Sequence, residues 1–228
     1  MKTKNINLNT YSTAVRNSLA DKAAYNTRLK IYKILSQKIN LEKLDSVIDV
    51  GVTVDKTQIS SNFFENLYPH SERITAFSDQ NASWMQDYYK GLKFVQGTAL
   101  NIPFEEKTFD LVFSSAVIEH VGSINNQSKF IYECFRIAKR YVFITTPNRY
   151  YPIELHTVIP LIHWFPKIIH RKLLKLIGKE FFAIEENLNL LTKNELKRLC
   201  DENNIKYYRI LTVNFLGLPS NLLLIIQK

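Results

Sequence analysis

The sequence predicts an α/β fold: a doubly wound, mainly parallel sheet with helices on both faces and an antiparallel hairpin at one end. Three observations predict it. Short apolar strands alternate with helix-patterned segments between residues 46 and 146. FDLVFSS (109–115) is apolar on both faces, as strands buried from both sides are. At the end of the chain two β-patterned runs flank Gly217 and Pro219, a hairpin signal.

Taken in order, residues 1–22 are polar and read as loose. Tyr25, Leu29, Tyr32, Leu35 and Ile39 recur at three- and four-residue steps and predict an amphipathic helix over 23–39. SVIDV (46–50) is the first strand and the segment 57–68 reads as helix. RITAF (73–77) is the second strand, followed by a helix with Asn81 as N-cap. LKFVQ (92–96) and FDLVFSS (109–115) are the third and fourth strands, a helix spans 125–139, and YVFITT (141–146) is the fifth. Residues 150–182, rich in aromatics, His, Pro and Lys, break the alternation. Thr192 and Glu195 then form a capping box opening a helix, and the hairpin closes the chain. The expected organisation is an N-terminal helical segment (1–45), an α/β core (46–149), an inserted lid (150–190), and the last helix and hairpin of the same domain (191–228).

Composition narrows the function. With 46% hydrophobic and 22% charged residues, wholesale disorder is excluded. Cys134 and Cys200 cannot build a disulfide framework, which suits a reduced compartment. The first twenty residues lack a signal-peptide apolar core, and no run approaches the ~18 apolar residues of a membrane span. The expected location is therefore cytoplasmic, with peripheral contact to the inner face of a membrane as a further reading. A formal charge of +9 favours anionic partners such as phosphates or anionic lipid.

Ligands of doubly wound sheets sit beyond the carboxyl ends of the strands. The first strand ends there in VIDVGVTVD, placing Asp49, Gly51 and Thr53. The second ends in AFSDQN, placing Ser78 and Asp79. The third ends in VQGTAL, placing Gly97, Thr98 and Ala99. The fourth ends in SSAVIEHV, placing Ser115, Glu119 and His120.

VIDVG, QGTALNIPFEEKTFDLVFSSAVIEHV and YVFITTPN together resemble the class I S-adenosylmethionine-dependent methyltransferases, and the small-molecule branch of quinone and sterol methylases most. The resemblance implies a Rossmann-like sheet of seven strands with the last antiparallel. It implies S-adenosylmethionine as cofactor, leaving S-adenosylhomocysteine. Asp49, Gly51, Thr53, Ser78, Asp79, Gly97, Thr98, Ala99 and Ser115 would form the cofactor site. The acceptor would be a small molecule, a sugar or a lipid-linked compound, and no nucleic acid is expected. The departures are specific. Thr53 and Asp55 stand where the family carries its second and third glycines, and Ser78 stands where the ribose-binding acid usually does.

Attack by a hydroxyl on a sulfonium methyl needs a base, and His120 is the first candidate and His156 the second. The five His and two Cys show no clustered ligand spacing, so no metal is expected. Two rivals stand beside this reading. One is a non-catalytic adenosyl-binding or partner-binding protein on the same fold, suggested by the missing glycines. The other is a nicotinamide dehydrogenase, which GVTVDK contradicts because it lacks the Gly-x-Gly-x-x-Gly fingerprint.

Overall fold

A computed structural model describes residues 18–56 and 58–228. In chain order the elements are α1 (Leu19–Lys38), β1 (Val47–Val50), α2 (Phe63–Leu67), β2 (Ile74–Ser78), α3 (Met85–Tyr88), β3 (Lys93–Gln96), β4 (Phe109–Ser115), α4 (Ile124–Ile137), β5 (Ala138–Pro147), α5 (Lys167–Leu176), α6 (Lys193–Glu202), β6 (Tyr208–Phe215) and β7 (Leu218–Gln227). The seven strands form one sheet in the order β3-β2-β1-β4-β5-β7-β6. β1 to β5 pair in parallel, and β7 enters antiparallel between β5 and β6. The order reverses beside β1, so a crevice opens above the carboxyl ends of β1 and β4.

The fully apolar strands follow from burial on both sides. Val47, Leu111 and Phe143 face one core with Phe63, Phe64 and the inner side of α1. Ile48, Val112 and Val142 face a second core with α4 and α6. Phe113 stacks on Phe64 at 4.4 Å and on Phe143 at 5.9 Å, joining α2 to β4 and β5. The capping box at α6 is present as the sequence requires: Thr192 and Glu195 satisfy each other's backbone amides.

Three local expectations are corrected. α1 starts at Leu19, four residues earlier than expected, because Ser18 caps it through Asp21 N–H. The part of the loose N-terminal segment before residue 18 lies outside the described residues. Asp21 is buried and accepts from Ile59 N–H, Ser60 N–H and Ser60 Oγ–H, so the helix start is also a fastener for the loop after β1. The helix expected over 57–68 shrinks to Phe63–Leu67. Asn62, at φ 47°, accepts from Thr53 N–H and donates to Thr53 O, which closes the preceding loop instead of prolonging the helix backward. Asn81 is not a helix cap. Its Oδ1 takes Ser83 N–H in a local turn, and the helix begins at Met85.

Candidate active site

The strand ends place the sequence-predicted residues unequally. Asp79 and Thr98 are exposed at the ends of β2 and β3. Ser78 is buried and takes Gln80 N–H, whereas Ala99 packs against the core. Gly97 has to be glycine: a Cβ would lie 2.9 Å from the Phe77 ring. Gly51, at φ +101°, is a conformation that L side chains rarely adopt, and a Cβ there would meet Val117 Cγ2 at 2.1 Å. Val117 thus fills the space over Gly51. Thr53 is committed to Asn62 through both backbone groups, and Ser115 Oγ pairs with Thr145 Oγ1 at 3.0 Å.

Asp49 departs furthest from its expected place at the rim. It is buried in β1 with its carboxyl against that of Glu65 of α2, and the Glu65 oxygens have no other partner. Burial raises both carboxyls toward sharing a proton: the charge of Glu65 and the hydrogen bond with it add to burial and put Asp49 well above the usual carboxyl range, whereas burial raises Glu65 to about 7 against the lowering hydrogen bond from Asp49. Glu65 carries no sequence signal, since an acid within an apolar FFENL run reads as the polar face of a helix.

The two candidate bases, 36 positions apart in sequence, meet in space. A strained turn after β4, with Ala116 at φ 57°, directs the chain into a 3-10 turn over Ile118–His120. Glu119 is fully buried there. Its Oε2 accepts from Thr146 Oγ–H at 2.9 Å, and its Oε1 has no hydrogen-bond partner. The His120 ring lies edge-on to the His156 ring with centroids 4.9 Å apart. His120 Nδ1 contacts Asn187 O at 2.6 Å, which makes it the protonated nitrogen, donating to that carbonyl. His156 Nδ1 contacts Glu154 Oε1 at 2.6 Å, and Glu154 also accepts from the amides of His156 and Thr157 and from Thr157 Oγ–H.

Electrostatics follows from this packing. Burial, then the neighbouring His156, lowers His120 to about 3, so it is neutral at pH 7. Burial raises Glu119 to about 7. Burial opposes charge on His156 too, but the hydrogen bond and charge of Glu154 outweigh it and raise the imidazole above its ordinary value. The same bonds hold Glu154 at about 2 in spite of burial. Sequence reasoning missed Glu154 and Asn187, because only the folded insertion carries them to the strand ends.

Residues 150–190, the stretch expected as an insertion, connect β5 to α6. Asn189 N–H donates to Glu119 O at 2.7 Å, and Gln127 Nε2 of α4 donates to both Ile118 O and Asn189 O. The insertion packs a small core of its own around Leu174 and Phe182. The apolar residues of α5 divide between two sides. Leu174 and His170 point inward, whereas Ile168 and Leu176 are 69% and 82% exposed.

Known proteins match this architecture. Residues 61–144 match the family model described as a methyltransferase domain. The chain has the class I methyltransferase fold. No curated protein sequence matches the chain. Among solved structures it is similar to the magnesium protoporphyrin IX methyltransferase of Synechocystis PCC 6803, crystallised with bound S-adenosylhomocysteine. They share 14% identity, covering 94% of this chain and 90% of that one, at a TM-score of 0.55. It is similar to the N-methyltransferase NodS of Bradyrhizobium japonicum WM9, in complex with S-adenosylhomocysteine, at 11% identity, 88% and 86% coverage and TM-score 0.54. It is also similar to an S-adenosylmethionine-dependent methyltransferase of Aquifex aeolicus at 13% identity, 92% and 94% coverage and TM-score 0.58. These likenesses are of fold.

The strand ends fit an adenosyl cofactor better on one side than on the other. Asp79 offers an exposed carboxylate and Thr98 an exposed hydroxyl, both beside the glycine-narrowed turn at Gly97. At the first loop Gly51 is the single glycine, with Val117 lying over it and Asn62 holding Thr53.

Two predictions test this geometry. Gly51→Ala should cost more than ~2 kcal/mol of stability in urea unfolding, because positive-φ strain and the Val117 clash add. Val117→Ala in the same background should return most of the steric part, and equal stability of the two variants would contradict the contact. The Asp49–Glu65 pair sets a pH slope. Its raised folded pKa means the folded state holds the extra proton between the ordinary value of 4.5 and about 7. Stability from this pair is therefore full below that window and is lost as pH rises through it. Glu65→Gln should make the profile shallower in that window, by up to ~1.4 kcal/mol per pH unit. Parallel profiles would contradict a shared proton.

Proposed function

We propose that this chain transfers the methyl group of S-adenosylmethionine to an oxygen of an amphiphilic, lipid-linked small molecule. The observation that carries the proposal is the meeting of Glu119, His120 and His156 at the strand ends, under an insertion whose outer surface is apolar and basic. The cofactor supplies a methyl group activated on a sulfonium for in-line displacement. Asp79 would hold its ribose hydroxyls, Thr98 its adenine side and the Gly51 turn its amino-acid end. The chain itself orients the acceptor and manages its proton. His120 and His156 face the acceptor oxygen, Glu154 fixes the ring of His156, and the insertion excludes water.

The acceptor class rests on the insertion. Val158, Leu161, Trp164, Phe165, Ile168 and Leu176 are all exposed on it. Arg171 and Lys167 are engaged by Glu185 and Glu195, whereas Lys172 and Lys175 stay exposed on α5. An apolar surface edged by cations suits an anionic lipid interface, from which a lipid-linked acceptor would reach the site. No helix among the described residues is long and apolar enough to cross a membrane, so the contact proposed is peripheral. A second reading, an adenosyl-binding protein without catalysis, is favoured by Val117 over Gly51 alone.

Calorimetry with S-adenosylmethionine tests the cofactor half. We expect saturable binding that Asp79→Ala weakens roughly tenfold or more, the loss of a charge-assisted hydrogen bond. Binding unaffected by that change would move the cofactor elsewhere. Sedimentation with phosphatidylglycerol vesicles tests the acceptor half. The protein should pellet at low salt, and high salt or Lys172→Glu with Lys175→Glu should release it. Protein that stays in the supernatant at low salt would leave the insertion as a lid alone.

A further inference from the structure

We infer that Glu119, His120 and His156 form a binding site for one divalent transition-metal cation, of the class of zinc, cobalt or manganese. One ligand atom from each of the three lies within 4.8 Å of the others. Two imidazoles and a carboxylate are a common donor set for such cations, and three protein ligands leave a coordination position for a substrate oxygen. Ligand atoms about 2.0–2.2 Å from a tetrahedral cation lie roughly 3.3–3.6 Å apart, so a bound ion would draw the widest pair of the set in by about an ångström.

The surroundings carry the argument further than the triad. In metal sites a ligating imidazole typically gives its other N–H to a carboxylate or a carbonyl. Both rings do so here: His156 Nδ1 to Glu154 Oε1 and His120 Nδ1 to Asn187 O, each at 2.6 Å. The nitrogen that each ring can offer a cation is therefore Nε2. Glu119 is oriented in the same manner by Thr146 on Oε2. Its Oε1, fully buried and without a hydrogen-bond partner, is an atom that a protein interior rarely leaves unsatisfied, and a cation would satisfy it.

The cation would join the turn after β4, which carries Glu119 and His120, to the insertion, which carries His156. It would also deepen the proposed function, and this use rests on that reading: an acceptor hydroxyl held at the open position would release its proton to solvent water at neutral pH, and its oxygen would take the methyl group as the sulfonium S–CH3 bond breaks and S-adenosylhomocysteine leaves. Ion binding itself does not depend on methyl transfer, so the two can fail separately.

The test is a titration of the chelator-treated full chain with cobalt(II), followed by visible absorption. We expect one cobalt per chain with a saturable ligand-field band, and its loss on adding equimolar zinc. Glu119→Gln and His156→Ala should abolish the band. Glu154→Gln, which leaves the three ligands in place, should weaken binding roughly 10–100-fold. Circular dichroism of each variant separates loss of the site from loss of the fold, and wild-type stoichiometry stands independently of all of them. Absence of saturable binding in the wild type, or a band unchanged in folded Glu119→Gln and His156→Ala, would overturn the inference. In either case, calorimetry with S-adenosylmethionine would still test the proposed function.

Discussion

The docking of the insertion onto the turn after β4 is the interaction on which the candidate site depends. It is made by few groups: Asn189 N–H on Glu119 O, Asn187 O on the His120 ring, and Gln127 of α4 spanning Ile118 O and Asn189 O. All of these are buried or half-buried, where an unmade bond costs about 1–3 kcal/mol per group. The sheet core can satisfy its own strands without them. The cluster of Glu119, His120 and His156 cannot form without them, because the third member belongs to the insertion.

That arrangement explains why so many polar groups lie buried on one side of the molecule. Glu154 is held as a carboxylate by four donors and in turn fixes His156. Glu119 sits on Thr146 at the end of β5, so sheet and turn orient it together. On the other side of the crevice the loop after β1 is built by different means. Asp21, Asn62 and Val117 tie it down where a glycine-rich loop would leave the backbone open.

The fold was legible because burial on both faces writes itself into strands such as FDLVFSS, and because the Thr192–Glu195 box and the Gly217–Pro219 turn are local signals. The site was legible only in part. His120 and His156 stood out as residue types, but their meeting depends on how residues 150–190 fold, and no spacing rule connects positions 36 apart. The absence of clustered metal-ligand spacing had the same origin. Asp49 was misplaced because an acid at a strand end looks alike whether it faces a crevice or a buried Glu65. The α2 region was overextended because Asn62 closes a loop through side-chain bonds that propensity does not reveal.

The central claim is that the cofactor's reactive end faces the cluster joined by the insertion. A crystal structure of the complex with S-adenosylhomocysteine tests it most directly. The account predicts adenosine beside Asp79 and Thr98, with the sulfur directed toward Glu119, His120 and His156. A sulfur directed away from that cluster, or a ligand bound outside the strand ends, would contradict it.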